Sequence, residues 1–214
     1  MIPAVVLAAG LSSRMGRLKA ILPVDPASPS GETFLTRVVR TFYEAGVEDV
    51  VVVVGHEADR LVDNMTAHDL SPRFVLNTEY QSGQLSSVLA GLRAIDRPEV
   101  TAMLLTLVDV PNVSAETVRR VIERYRATGA AIVRPVAADA HGVKGARHGH
   151  PVLVDRQLFD AFRRADPSAG IKPIVRAHVS VEGDVEVNDE GAFVDVDTPE
   201  DYRRLVEQPR AGPA

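Results

Sequence analysis

Two stretches of the chain hold no charge between their ends: the valine run that completes Asp49–Val54, and Thr101–Val108. A sheet with one wet face alternates apolar and polar residues. An unbroken run of branched apolar side chains suits only a strand buried on both faces. Between such runs the period changes. Thr33–Tyr43 places Phe34, Val38, Val39 and Phe42 on one face at helical spacing, and a strand at Pro3–Leu7 precedes it. A short helix near Glu57–Met65, a strand at Arg73–Leu76 and a helix over Gln84–Ala94 continue the alternation. After Thr101–Val108, Ser114 caps a further helix, with Glu116 and Thr117 in its first turn. Alternating β and α elements predict an α/β, three-layer, doubly wound fold of Rossmann-like type, its sheet mainly parallel.

The pattern loosens after Pro135. Ala137–Gly149, rich in Ala, Gly and His, reads as a long loop of the kind that is functional or disordered. A small β excursion follows, with strands at Pro151–Val154, near His178–Val181 and at Ala192–Val196, and a helix over Gln157–Ala165. Thr198 then caps the last helix, with Pro199 at its first position. One domain is expected over residues 1–206, with a frayed Pro/Gly-rich tail over 207–214.

Composition narrows the class of protein. Hydrophobic residues make up 45% of 214, enough for one substantial core. Lys and Arg number 24 against 29 Asp and Glu, a net charge of -5 that lacks the basic footprint of a nucleic-acid binder. Without cysteine there are no disulfides, thiolate nucleophiles or zinc ribbons. No apolar run approaches the roughly 18 residues that span a bilayer. Met1-Ile2-Pro3-Ala4-Val5-Val6 has no basic region before its apolar stretch and reads as a strand, not a signal peptide. The expectation is a cytoplasmic enzyme with no nucleic-acid or membrane partner.

The segment Leu7-Ala8-Ala9-Gly10-Leu11-Ser12-Ser13-Arg14-Met15-Gly16-Arg17-Leu18-Lys19 follows the first strand. Its small residues let backbone N–H groups approach a ligand closely, and Arg14, Arg17 and Lys19 add cations beyond a parallel strand's carboxyl end. That combination makes a polyphosphate cradle. It is not a Walker A loop, because Arg17 follows Gly16. It is not the dinucleotide fingerprint either, since Gly10 and Gly16 stand six apart with no third glycine.

This string resembles the nucleotide-binding signature of nucleotidyltransferases that activate a phosphorylated acceptor with a nucleoside triphosphate. It is most similar to the branch containing molybdenum cofactor cytidylyltransferase and molybdopterin-guanine dinucleotide synthase, and the likeness extends through four further motifs over nearly the whole chain. The resemblance implies that Leu7, Ala8, Ala9 and Gly10 meet the base and phosphates, while Arg14 and Lys19 hold the triphosphate. In that family guanylyl enzymes carry Gly at the position of Ala9 and cytidylyl enzymes carry Ala, so CTP is the favoured nucleotide. Uridylyl enzymes share the alanine, which leaves CTP against UTP open.

Asn77-Thr78-Glu79-Tyr80-Gln81-Ser82-Gly83-Gln84-Leu85-Ser86-Ser87 precedes a helix, where small hydroxyls either cap or present donors to a ligand. The resemblance makes this the base-recognition loop, with Ser82, Gly83 and Ser87 as contacts. Asp109 ends an uncharged strand, a position where an open α/β sheet places its ligands, or else caps the following turn. The resemblance assigns it to Mg²⁺, which favours carboxylates plus substrate phosphates. Asp195 and Asp197 would share one face of a final strand. Asp195 matches the position where related enzymes place a second metal or catalytic group, and Asp197 is expected to help cap the last helix; which of the two is the second metal ligand stays open. In Arg147-His148-Gly149-His150-Pro151 no third ligand accompanies the two histidines. The resemblance places His150 beside the acceptor, in binding or in shaping the site.

The expected activity is therefore Mg²⁺-dependent transfer of CMP from a triphosphate to molybdopterin or another phosphorylated acceptor, with a molybdoenzyme as a possible client. Rival readings are an NAD(P)H-dependent oxidoreductase of quinone- or dye-like metabolites on the same scaffold, and a non-catalytic cofactor-binding or chaperone protein.

Overall fold

A computed structural model describes residues 1–28, 31–137 and 147–207. Seven strands form one sheet: β1 (Ala4–Leu7), β2 (Val50–Val54), β3 (Arg73–Leu76), β4 (Ala102–Leu107), β5 (Ile132–Ala137), β6 (Val152–Asp155) and β7 (Asp184–Val187), in the order β3-β2-β1-β4-β6-β5-β7. The neighbours β3, β2, β1 and β4 run parallel, as do β5 and β7. Only β6 is antiparallel to its neighbours.

The uncharged strands are central and buried on both sides, as their composition demands. Ala4, Val6, Val50, Val52, Val54, Ala102 and Leu104 face one apolar cluster. It also holds residues of α1 (Phe34–Glu44), α2 (Ala58–Ala67), α4 (Ala115–Thr128) and α7 (Pro199–Glu207). The alternate residues Val5, Leu7, Val51, Val53, Met103 and Leu105 face a second cluster with α3 (Gln84–Ile95), α5 (Phe159–Arg163) and α6 (Lys172–His178). The period of two along each strand thus yields three layers. Ser114 caps α4 by accepting from Thr117 N, as its sequence position predicts.

The second half departs from expectation. β5 begins before the point where the sequence pattern loosens and is a full strand. Residues 138–146, most of the expected long loop, lie outside the described residues, as does the tail beyond 207. The helix expected over Gln157–Ala165 opens as a 3-10 turn, Arg156–Leu158, before α5. No strand forms near His178–Val181, because α6 runs to His178, with Pro173 in its first turn, and Val181–Gly183 is another 3-10 turn. The strand there is β7, whose first residue, Asp184, is buried against Arg134 Nε at 2.9 Å. An acid at its start hides it from a reading based on apolar runs.

Ala192–Val196 is not a strand either: Glu190–Phe193 is a 3-10 turn. Backbone segments crowd together here. A Cβ on Gly191 would stand 2.0 Å from the Asn112 carbonyl oxygen, and one on Gly149 would stand 2.2 Å from that of Ala192. Only glycine permits so close an approach of the backbones at these two positions. Asp189 anchors the turn, its Oδ2 accepting from Ser114 Oγ and Thr117 Oγ1, each at 2.7 Å.

Candidate functional site

β1 and β4 are adjacent and in register, with Leu7 paired to Leu107. Their carboxyl ends deliver Ala8–Lys19 and Val108–Asp109 side by side, and Val108 N donates to the Leu7 carbonyl at 3.1 Å. A third segment joins them: Val196 N donates to the Asp109 carbonyl at 2.8 Å. Between these segments and the start of α3 lies a cavity of about 300 Å³, within the range of small-ligand sites. Its walls include Leu7, Ala8, Ala9, Gly10, Arg14, Lys19, Gly83, Ser87 and Asp109, all expected from sequence.

The loop after β1 is folded by Ser12. This residue adopts a left-handed conformation, φ 52°, and its carbonyl accepts from Met15 N and Gly16 N. Its Oγ accepts from Lys19 N at 3.1 Å, which brings Lys19 back beneath the turn. A Cβ on Gly10 would meet no atom within 4 Å, so the backbone there faces open space that a ligand can enter. Ala9, by contrast, is 3% exposed; it lines the cavity and belongs to the apolar cluster beneath α3.

The Lys19 side chain is 8% exposed. Its ammonium donates to Asp109 Oδ2 at 3.1 Å and to Asp197 Oδ1 at 2.8 Å. Arg14, 70% exposed, reaches the other oxygen of Asp197 at 2.9 Å. Desolvation acts to raise the Asp197 pKa, but the bonds to Lys19 and Arg14 overcome it and hold the carboxyl below the usual range. Asp197 therefore lines the site and does not cap α7. That helix is capped by Thr198 and Asp201, which exchange bonds in both directions.

Asp195 and Asp197 flank Val196 in an irregular segment, not on one face of a strand. Desolvation by the surrounding protein, then the charge of Asp109, raises the Asp195 pKa, with a further contribution from Asp197. Burial pushes the His150 pKa down, against the pull of Asp195, the Leu105 carbonyl and Asp109. Its Nδ1 stands 3.5 Å from the Leu105 carbonyl oxygen, and its backbone N donates to the Ala192 carbonyl at 2.9 Å. Neither His150 nor Asp195 is among the residues that line the cavity.

The expected base-recognition loop is held by Asn77, a residue sequence reasoning passed over. Asn77 is 4% exposed and donates to Ser86 Oγ at 2.9 Å and Ser87 Oγ at 3.0 Å, while its Oδ1 accepts from Glu79 N. Ser87 is buried and oriented by that bond. Ser82 lies in a 3-10 turn, Tyr80–Ser82, and is exposed outside the residues lining the cavity. Tyr80, which sequence reasoning did not assign, lines the cavity. Its ring packs so tightly on Gly55 that a Cβ there would lie 2.8 Å away. Gln84, Ser12, Tyr80 and Asp197 are among the lining residues that the sequence did not single out.

One atom is left over. Asp109 Oδ1 is buried and has no hydrogen-bond partner among the described residues. A buried carboxylate oxygen without a donor is costly unless a cation meets it. Hard oxygen donors on Asp109 and Asp195 are the ligand chemistry that Mg²⁺ or Mn²⁺ takes.

Comparison with known proteins gives a consistent set of relatives. Residues 4–181 match the family described as the MobA-like NTP transferase domain. The bifunctional IPC transferase and DIPP synthase of Rubrobacter xylanophilus is 34% identical over 94% of this chain, which spans 50% of that relative's length. Molybdenum cofactor cytidylyltransferase of Escherichia coli is 27% identical, with 94% of this chain and 93% of the relative covered. Rv0371c from Mycobacterium tuberculosis superposes with a TM-score of 0.76 at 30% identity, covering 97% of each chain. Rv0371c has also been solved in complex with manganese.

Proposed function

Because this chain belongs to the MobA-like NTP transferase family, we propose that it transfers a nucleoside monophosphate from a nucleoside triphosphate to a phosphorylated acceptor, releasing pyrophosphate. CTP is the favoured donor and molybdopterin, or the molybdenum cofactor, the favoured acceptor. The observation that carries this reading is the convergence of Lys19 and Arg14 on a cavity lined by Asp109, whose buried Oδ1 has no hydrogen-bond partner among the described residues.

A phosphate oxygen of the acceptor attacks the α-phosphorus, and the bond to the β-phosphate oxygen breaks. The acceptor phosphate is ionised at neutral pH, so the chain need supply no strong general base. Positioning and charge neutralisation do most of the catalytic work. Lys19 and Arg14 offset charge on the β- and γ-phosphates. The turn Leu7–Gly10 and the start of α3, with Gly83 and Ser87, seat the nucleotide. His150, close to Asp195, shapes the acceptor side of the site. Asp109 and Asp195 would hold Mg²⁺, which supplies charge neutralisation and polarises phosphate oxygens when bound.

The E. coli relative, which this chain matches over nearly its whole length, is named for cytidylyl transfer to the molybdenum cofactor and supports that acceptor. Manganese in the Rv0371c complex supports a divalent metal. Incubation with each of the four triphosphates, Mg²⁺ and molybdopterin should yield pyrophosphate, most rapidly with CTP. NADPH oxidation by quinones in place of pyrophosphate release would overturn the proposal in favour of an oxidoreductase.

A further inference from the structure

Residues 109–114 and 189–196 run alongside each other in opposite directions and meet at three places. At one end Val196 N donates to the Asp109 carbonyl at 2.8 Å. In the middle the backbones touch, since a Cβ on Gly191 would stand 2.0 Å from the Asn112 carbonyl oxygen. At the other end Asp189, 8% exposed, closes the pair. Its Oδ2 accepts from Ser114 N at 2.8 Å, and from Ser114 Oγ and Thr117 Oγ1, each at 2.7 Å. Its carbonyl accepts from Ala192 N at 3.0 Å, and the Ala192 carbonyl accepts from His150 N at 2.9 Å. One buried carboxylate thus ties the first turn of α4 to the stretch that carries Asp195 and braces His150.

We infer that Asp189 is a positioning residue that holds Asp195 and Asp109 at a fixed separation, ready for a divalent ion. The inference rests on the metal-binding reading of those two acids. Carboxylates brought near each other repel while no cation lies between them. Desolvation first, and the charge of Asp109 second, raise the Asp195 pKa, so the two acids do feel each other. The stretch from Val194 to Asp197 belongs to no strand or helix, and no ladder of backbone bonds resists that repulsion. The anchor at Asp189 resists it instead. Both acids therefore stand in place before the ion arrives, and binding it costs little rearrangement.

Asp189→Ala removes the bonds to α4. Mn²⁺ affinity of the nucleotide-free protein, read from the free-ion EPR signal, should fall about tenfold, at the lower end for groups that orient a metal's ligands. Asp189→Asn, whose amide oxygen can still accept, should recover most of that loss. Turnover of Asp189→Ala should return to a near-normal kcat as Mg²⁺ is raised, because both ligands are intact. Asp49→Ala supplies the comparison for damage to the fold. It removes the bonds from Arg73 and Arg97 at the opposite end of the sheet, and should lower the Tm with Mn²⁺ affinity unchanged. If Asp189→Ala does not fold, Thr117→Val removes one donor, keeps its shape and should weaken Mn²⁺ binding in the same direction; unchanged affinity there overturns the inference equally. Wild-type Mn²⁺ affinity in Asp189→Ala, or a kcat that stays low at saturating Mg²⁺, overturns the inference alone when Asp109→Asn loses Mn²⁺. If Asp109→Asn binds Mn²⁺ as well as wild type does, the inference fails together with the metal reading.

Discussion

Lys19 Nζ and Asp109 Oδ2 stand 3.1 Å apart, although 90 residues separate them in sequence. One reaches back from the loop after β1 and the other ends the run beyond β4. The contact joins a cation assigned to the substrate phosphates with a carboxylate assigned to the metal. It uses only one oxygen of Asp109, and the other is buried without a partner among the described residues.

Asp109→Asn should abolish metal-dependent turnover while the protein stays folded, because Lys19 keeps its bond to Asp197. Turnover and Mn²⁺ binding at limiting metal measure this. Near-normal activity of the variant at limiting Mg²⁺ would remove Asp109 from the metal site.

Lys19→Ala should weaken triphosphate binding far more than monophosphate binding, since the ammonium is assigned to the β- and γ-phosphates. A charge-assisted contact contributes about 1.5–3 kcal/mol, or roughly ten- to a hundredfold in affinity. Calorimetry with CTP and CMP makes the comparison. Equal losses for both ligands would contradict the placement.

The fold was legible where burial is two-sided. The strands β1, β2 and β4 and the helices between them follow from apolar period alone, and the same positions form the two clusters that sandwich the sheet. Legibility ended where polar residues are buried by specific partners. Asp184 opens a strand because Arg134 meets it, and Asp189 anchors a turn through Ser114 and Thr117. Local period carries no trace of either contact. In the site, the turn after β1, Asp109 and Ser87 line the cavity as expected. Asp197 was mistaken for a helix cap because the pairing of Lys19 with the far end of the chain, 178 residues away, is a tertiary fact. Asn77 did leave a signal. It is an amide directly after an apolar strand and ahead of a serine-rich helix start, a position suited to bonding several hydroxyls at once.

Asp195 should trade stability for metal binding. Its pKa is raised in the folded protein, so the folded state binds a proton more readily than the unfolded chain. The ionised carboxylate therefore costs stability at neutral pH, and acidification through its raised pKa relieves that cost. Asp195→Asn, which mimics the neutral form, should raise the Tm of metal-free protein at pH 7 and reduce the added stability from Mg²⁺ or Mn²⁺. Thermal melts with and without metal test both signs. A lower metal-free Tm together with unchanged metal stabilisation would contradict the assignment.

Ala9→Gly should shift nucleotide preference toward GTP. Ala9 is among the residues that line the cavity, and a methyl that narrowed the base slot there would favour a pyrimidine over a purine. One surplus methyl in a packed site costs about 1–3 kcal/mol, so the discrimination should be moderate. Affinities for CTP, UTP, ATP and GTP, measured side by side on wild type and variant, decide this. GTP binding tightest to wild type, or no shift in the variant, would mean that the base slot is shaped elsewhere.

The central claim is the reaction itself, and phosphorus NMR observes it directly. With CTP, Mg²⁺ and molybdopterin, the α-phosphorus signal should move into a pyrophosphate diester as one pyrophosphate appears for each CTP consumed, and Asp109→Asn should leave the spectrum unchanged. Release of inorganic phosphate without a new diester, or CTP that stays intact with every phosphorylated acceptor offered while NADPH is oxidised, would contradict nucleotidyl transfer.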